Sequence, residues 1–212
     1  MSRGDLCMAY SSRKERERRE RINYVLNVAE RLFADKGFMN VTMRQIAEKA
    51  EFALGTIYSF FRGKKQIYHD LIEKKSEMFV SFLEKEIDSE SHPRQQVEKF
   101  IEAKMTYLLK NLSFLKLYLA EVNASHLLSE EGLNTRIKNK YDELLRRLSE
   151  VMGRGISEGI FIKGKPEVLA KALDGLTNAM VFTWLNGKRP SSPSEEIRIV
   201  KNMFFHGILA KG

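Results

Sequence analysis

The sequence predicts an all-α protein, and three observations lead to that fold class. Apolar residues recur at helical spacing in every long segment of the 212-residue chain, which is the pattern of amphipathic helices. No segment of the sequence has the sustained alternation of apolar and polar residues that marks a half-buried strand. Capping boxes begin two of the segments, at Thr42 with Gln45 and at Ser192 with Glu195. We expect about nine helices in total.

Four helices are expected in the N-terminal part of the chain. The first has a continuous apolar stripe and is followed by Gly37, which can end a helix in a left-handed conformation. The helical pattern breaks again at Glu51 to Ala53 and at Arg62-Gly63. The predicted helices cover Arg16 to Lys36, Thr42 to the residues before Glu51, Leu54 to Phe61, and Lys64 to about Ile87.

Five more helices are expected after the polar tract Asp88 to His92. Several of them begin at proline, a residue that suits the first turn of a helix. The first begins at Pro93, and the others cover Ser113 to Leu128, Leu133 to Glu158, Pro166 to Asn186, and Pro193 to Ala210. We interpret residues 1–12 as a flexible tail, residues 13–65 as a small first domain and residues 66–212 as a larger helical domain.

The positive charge of the chain is concentrated near its N-terminus. The formal net charge is +8, and residues 1–75 contain 16 Lys and Arg against 10 Asp and Glu, whereas the other residues contain 20 against 18. A basic module joined to a nearly neutral one is typical of proteins that bind polyanions. Charge alone leaves nucleic acid and an anionic membrane surface as alternatives.

Composition argues against several classes of protein. No apolar run approaches the roughly 20 residues that span a bilayer, and we expect neither a signal peptide nor contact with a membrane, so the expected location is cytoplasmic. The single cysteine, Cys7, predicts no disulfide framework. The four histidines have no metal-ligand spacing. We therefore expect no metal and no cofactor.

The most informative stretch runs from Thr42 to Leu71. It contains two helices of about eight residues joined by a tight turn, and such a pair can place its second helix in the major groove of DNA while the first braces across the backbone. A generic helical hairpin would give the same pattern. The spacing alone therefore indicates a helix-turn-helix without establishing one.

Spaced residues in this stretch and just before it resemble the DNA-binding region of the TetR family of repressors. The resemblance extends from Ile22 to about Leu71, and beyond it only the length and the number of helices agree. The matching residues are Ala29, Leu32, Phe33 and Gly37, then Thr42, Ile46 and Ala47, then Gly55, Thr56, Tyr58 and Phe61, and finally Lys64.

The resemblance implies roles for residues of the helix-turn-helix. Thr42, Thr56, Tyr58 and Lys64 are expected to contact phosphates, because hydroxyl groups and a cation lie near helix starts there. Arg44 is the best candidate for reading a base, since Arg with guanine is the commonest specific contact. Read individually, Thr42 could be only a cap and Tyr58 only a core residue. The expected DNA-binding residues are Thr42, Arg44, Leu54, Gly55, Thr56, Tyr58, Ser59 and Lys64.

Two features of the sequence depart from the family pattern or leave a choice open. The turn reads Glu51-Phe52-Ala53 where the family usually has Gly-Val-Ser, so both the permissive glycine and the hydroxyl cap are missing and another turn geometry is conceivable. The tract Arg13 to Arg21 is rich in arginine and could reach DNA as an arm. Glu and Arg residues at i,i+4 spacing make a solvated helix end an equal alternative.

The resemblance also implies that the larger domain dimerises and holds a small-molecule ligand. The last two predicted helices are apolar on two sides, and a partner copy would cover the second side. Burial within one subunit is the alternative explanation. The expected interface residues are Val181, Phe182, Leu185, Val200, Phe204 and Ile208.

The ligand pocket is predicted from a carboxylate within an apolar stripe. Glu121 and Ser125 share a helix face with apolar residues, so Glu121 would suit an organic cation with an apolar body. A Lys or Arg from a neighbouring helix, paired with Glu121, explains the pattern equally well. The expected pocket residues are Phe100, Tyr118, Glu121, Ser125, Met180 and Trp184.

Three function classes follow from these patterns. The first is a dimeric repressor that binds an inverted-repeat operator in double-stranded DNA and is released by an unknown small molecule. The second is a DNA-binding architectural protein that takes no ligand. The third, an all-helical enzyme, is disfavoured because the sequence has no catalytic set or phosphate-binding glycine loop at a usable spacing.

Overall fold

The computed structural model describes the backbone of residues 3–123, 131–185 and 192–208, and the side chains of residues 13–118, 135–185 and 192–207. Within these ranges the chain forms nine α-helices, which confirms the predicted all-α fold class. The first four are α1 (Arg3–Lys36), α2 (Met43–Lys49), α3 (Leu54–Phe60) and α4 (Lys64–Asp88), with a short 3₁₀ turn at Phe38–Asn40 after α1.

The five helices that follow agree closely with the sequence pattern. Pro93 and Pro166 each begin a helix, as the sequence predicts. These helices are α5 (Pro93–Lys110), α6 (Leu112–Asn123), α7 (Glu131–Ser157), α8 (Pro166–Leu185) and α9 (Pro193–Ile208).

The largest difference from the sequence pattern is the start of α1. The helix begins at Arg3 rather than near Arg16, and so runs through residues expected to form a flexible tail. Two i,i+4 ion pairs support its N-terminal half: Arg13 with Glu17 at 2.9 Å, and Arg19 with Glu15 at 3.8 Å. These pairs place Arg13 and Arg19 of this tract in a solvated part of the helix.

The chain divides into two compact units, Met1–Lys74 and Lys75–Gly212. The core of the first unit contains Phe33, Ile46 and Ile57 from α1, α2 and α3. Tyr68 from the first half of α4 completes it, with its ring 5.7 Å from that of Phe33 and edge-on to it. The first unit therefore extends nine residues beyond the boundary at residue 65 that the sequence pattern indicates, because this half of α4 supplies part of its core.

The second unit is built around α5, which packs against α7, α8 and α9. Helices α7 and α8 run antiparallel, since Gly153 lies against Pro166 at one end and Tyr141 contacts Asp174 farther along. Gly155 permits the close packing that returns the chain between them, because a Cβ there would lie 2.2 Å from the Phe161 ring. Among the described residues, no helix is long and apolar enough to span a membrane.

Candidate functional site

Helices α2 and α3 form a helix-turn-helix in the first unit. The turn between them contains Glu51, whose φ of 58° is the only positive value at a non-glycine residue in the described part of the chain. The Phe52 amide donates to the Ala47 carbonyl at 3.0 Å and so closes the turn. Glu51 thus takes a backbone conformation that glycine adopts most easily, at a cost of about 1 to 2 kcal/mol. The missing glycine strains the turn without opening it.

The start of α2 is fixed by the capping box that the sequence predicts. The Thr42 hydroxyl accepts a hydrogen bond from the Gln45 amide at 3.2 Å, and the Gln45 side chain accepts one from the Thr42 amide at 2.9 Å. Thr42 remains exposed. Its role as a cap is therefore compatible with a phosphate contact made by the same residue. Arg44, two residues farther along, is also exposed.

Helix α3 buries one face and exposes the other. Ile57 of α3 is buried, and so is Phe61, which comes directly after the helix and is therefore a core residue. Tyr58 is 52% exposed, which argues against the alternative that it belongs to the core. Ser59 is exposed as well, and its hydroxyl donates to the Thr56 carbonyl at 2.7 Å. No side chain caps α3 at Ala53, as the sequence predicts.

Gly55 lies on the exposed face of α3, and the fold itself does not require a glycine there. A Cβ at this position would meet nothing within 4 Å. Glycine destabilises a helix by about 0.5 to 1 kcal/mol relative to alanine. A close approach of the helix backbone to another molecule is the remaining physical reason for glycine at this position.

Lys64 has a structural contact within the domain, beside the phosphate contact that the resemblance implies. Its Nζ donates to the Phe38 carbonyl at 2.8 Å and to the Met39 carbonyl at 3.3 Å. Burial lowers the pKa of this amine. The ammonium group is therefore held by the 3₁₀ turn after α1, which makes Lys64 a link between α4 and that turn.

The second unit contains a buried ionic network that the sequence pattern did not indicate. Lys104 on α5 is only 1% exposed, and its Nζ lies 2.5 Å from Asp174 Oδ1 on α8. The same Nζ donates to the Thr177 hydroxyl at 2.8 Å. The Tyr141 hydroxyl on α7 donates to Asp174, and the Asn178 amide donates to its other oxygen at 3.1 Å. The network joins three helices.

Burial and the Asp174 carboxylate shift the pKa values of the groups around this network. Burial lowers the pKa of Lys104, although the carboxylate of Asp174 opposes that shift. Burial and Asp174 together raise the pKa of Tyr118 to about 12, and they also raise the pKa of Tyr141. Both phenols stay protonated at neutral pH, and the Tyr141 hydroxyl donates its hydrogen to Asp174.

Two of the predicted pocket residues lie beside the Lys104–Asp174 network. Phe100 is buried, and the Lys104 ammonium lies 5.7 Å from the centre of its ring. The Asp174 carboxylate contributes to the raised pKa of Tyr118. Met180 is partly buried, and the Trp184 indole donates to the buried Glu196. The Glu121 side chain and all of Ser125 lie outside the described residues.

The predicted interface residues divide into buried and exposed ones. Val181, Val200 and Phe204 are buried by their own domain, so they form part of the core of one subunit. Phe182 is exposed and Leu185 is partly buried, while the Ile208 side chain lies outside the described residues. Periodicity correctly showed that these helices are apolar on two sides, but it did not show which side the domain itself covers.

Comparisons with known proteins agree with this geometry. Residues 25–71 match the family model described as "Bacterial regulatory proteins, tetR family". The chain is 23% identical over 171 residues to the fatty acid metabolism regulator protein of Bacillus subtilis, covering 80% of this chain and 86% of that protein.

Solved structures share the fold. The fatty acid degradation regulator FadR of Bacillus halodurans has a TM-score of 0.74 at 18% identity, covering 88% of this chain and 95% of that one. AibR in complex with isovaleryl coenzyme A and operator DNA has a TM-score of 0.71 at 15% identity, covering 87% and 98%. At these identities the likeness shows the fold alone.

The helix-turn-helix, with its exposed recognition helix and its matching family model, defines a DNA-binding transcriptional regulator. Its DNA-binding region, residues 25–71, matches that of TetR family regulators. The relatives found by sequence are themselves regulators.

Proposed function

We propose that the protein is a dimeric repressor that binds an inverted-repeat operator and is released from it by a small-molecule effector. The observation that carries the proposal is the exposed face of α3, with Gly55, Tyr58 and Ser59 free of the domain core. One recognition helix per chain reads only a few base pairs, so two copies related by a two-fold axis would read two half-sites.

We assign DNA recognition to residues 13–65 and the effector response and dimerisation to residues 66–212. Within the first region, Arg44 reads a base edge and the other residues position the domain on the duplex. The full set of proposed DNA-binding residues is Thr42, Arg44, Leu54, Gly55, Thr56, Tyr58, Ser59 and Lys64.

The exposed apolar surface of α8 and α9 supports dimerisation. On α8, Val168 and Phe182 are 58% and 42% exposed, and the exposed Ala172, Gly175 and Ala179 lie at helical spacing between them. Small residues at such positions allow a second helix to approach closely. On α9, Met203 is 60% exposed. We propose that these residues, of which Phe182 belongs to the predicted set, meet their counterparts in a second copy together with the predicted Leu185.

We propose that the protein is located in the cytoplasm and that its effector is an acyl thioester. The support for this effector comes from relatives named for fatty acid metabolism and from AibR, whose complex holds isovaleryl coenzyme A. Phe100 and Tyr118 would contribute apolar wall next to the Lys104–Asp174 network, where the protonated Tyr118 phenol can donate to a carbonyl oxygen. The organic cation that Glu121 would suit stays a prediction.

Selection of bound sequences from random duplex DNA tests the DNA-binding part of the proposal. We expect an inverted repeat to be enriched, with two protein copies per duplex by analytical ultracentrifugation. A protein that binds every duplex equally would be the architectural alternative, and one copy per duplex would contradict the dimer.

Release from the selected operator tests the effector. Decanoyl and isovaleryl coenzyme A are added to the protein–DNA complex, with free coenzyme A as the matched control. We expect an acyl thioester to lower operator affinity while free coenzyme A leaves it unchanged. Unchanged affinity with all three compounds would contradict the proposed effector class without affecting DNA recognition.

A further inference from the structure

A basic stripe, formed by Arg18 and Arg21, lies on α1 on the N-terminal side of the residues that pack in the core of the first unit. Arg18 and Arg21 are exposed, and they lie on the same helix face as the buried Val25, at i−7 and i−4 from it. The face of α1 that is buried in its second half therefore becomes positively charged toward the N-terminal side.

A series of contacts with aromatic rings connects Arg18 of this stripe to the helix-turn-helix. The Arg18 guanidinium lies 5.6 Å from the centre of the Phe60 ring, at the last residue of α3. Phe60 contacts Phe52 edge-on at 6.4 Å, and Phe52 contacts Tyr24 on α1 edge-on at 6.3 Å. Phe52 lies in the turn between α2 and α3, so this turn contacts α1 as well as α3.

This arrangement sets the stripe close to the surface that reads DNA. Phe60 directly follows the exposed Ser59, and α3 is about 10 Å long at 1.5 Å per residue. The major groove is about 12 Å wide and is bordered by phosphates on both sides. An arginine held beside the end of α3 therefore lies within reach of the phosphates at the edge of the groove that α3 enters.

The charges on the other faces of α1 are arranged differently. Arg13 pairs with Glu17, and Arg19 pairs with Glu15. Arg16 lies on the side of the helix opposite Arg18 and Arg21 by helical spacing. Arg18, which lies against Phe60, and Arg21 share the face of α1 that continues into the buried Val25.

We propose that Arg18 and Arg21 bind backbone phosphates of the operator at the edge of the major groove, so that α1 is a DNA-contacting helix in addition to α2 and α3. Phe60 and Phe52 position Arg18 for this contact. The inference rests on the DNA-binding function and adds a sequence-independent, electrostatic part to the interface.

The test measures operator affinity as a function of salt for the full-length protein. Each phosphate contact contributes about 0.9 to the slope of log K against log [salt]. We expect Arg18→Gln and Arg21→Gln each to reduce the slope by about 0.9 for every protomer bound. Between 50 and 200 mM salt, each variant would then lose about 3.5-fold less affinity per protomer than the parent protein.

Arg16→Gln is the matched control, because it removes the same charge from the opposite face. It should leave the slope unchanged, and Arg18→Lys should retain it because the charge is kept. Thermal melting checks that each exposed substitution leaves the fold intact. Slopes of Arg18→Gln and Arg21→Gln equal to that of Arg16→Gln would overturn the inference alone, whereas a parent protein that binds no duplex would overturn the DNA-binding function with it.

Discussion

The ammonium group of Lys64 lies 4.4 Å from the centre of the Phe38 ring and donates to the carbonyl of the same residue at 2.8 Å. A residue that the resemblance assigns to phosphate thus binds the backbone of the 3₁₀ turn that follows α1. A lysine has three donor hydrogens, so one of them can still reach a phosphate when DNA is bound. The two roles are separable by experiment.

We expect Lys64→Ala to lower the free energy of unfolding by about 1 to 2 kcal/mol, since a hydrogen bond from a charged group is lost. Affinity for operator and random DNA should fall together, and the salt dependence should flatten. Chemical denaturation and DNA titration are measured beside Lys65→Ala, which changes an exposed neighbour. An unchanged unfolding midpoint for Lys64→Ala would show that the contact with Phe38 does not stabilise the domain.

Gly55→Ala should change stability and DNA affinity in opposite directions. Because a Cβ at Gly55 meets nothing within 4 Å, the substitution should stabilise the domain by about 0.5 to 1 kcal/mol through helix propensity. The added methyl group would separate α3 from the DNA, so operator affinity should fall. A more stable variant with undiminished affinity would mean that the α3 backbone does not approach the DNA closely.

Glu51→Gly should stabilise the first unit. The φ of 58° at Glu51 is costly for a residue with a side chain, and relief of that cost outweighs the added chain entropy by about 0.5 to 1 kcal/mol. Glu48→Gly is the matched control, because Glu48 is exposed within α2 and glycine should destabilise the helix there. Equal destabilisation by the two substitutions would contradict a left-handed backbone at Glu51.

Asp174→Asn should destabilise the second unit by about 3 to 5 kcal/mol, because it leaves the charge of Lys104 buried without its carboxylate. Replacing both partners by apolar residues, as Lys104→Met with Asp174→Leu, should recover most of that loss. Urea unfolding of the single and double variants measures the difference. A single variant as stable as the parent protein would show that the ion pair contributes little.

Local sequence was sufficient for the parts of the fold that depend on neighbours along the chain. The Thr42–Gln45 capping box and the helix starts at Pro93 and Pro166 were predicted because their signals lie within a few residues. The left-handed backbone at Glu51 could not be read from the residue type, since the surrounding turn imposes it.

The Lys104 network was missed because its partners are distant in sequence. Lys104 lies among apolar residues of α5, and its partner Asp174 is 70 residues away. Periodicity drew attention instead to Glu121 as the charge within an apolar stripe. The exposed sides of α8 and α9 were likewise left open, because only packing decides that Val181 faces the core while Phe182 faces outward.

Base recognition by Arg44 is the most direct test of sequence-specific DNA binding through the helix-turn-helix. Competition titrations compare the selected operator with a scrambled duplex of equal length, for the parent protein and for Arg44→Ala. The parent protein should prefer the operator, and Arg44→Ala should reduce that preference by about 1 to 3 kcal/mol per contact, or roughly 5- to 150-fold, with little change on the scrambled duplex. Equal affinity of the parent protein for both duplexes would contradict sequence-specific DNA binding. An equal loss of affinity on both duplexes in Arg44→Ala would contradict base recognition by Arg44.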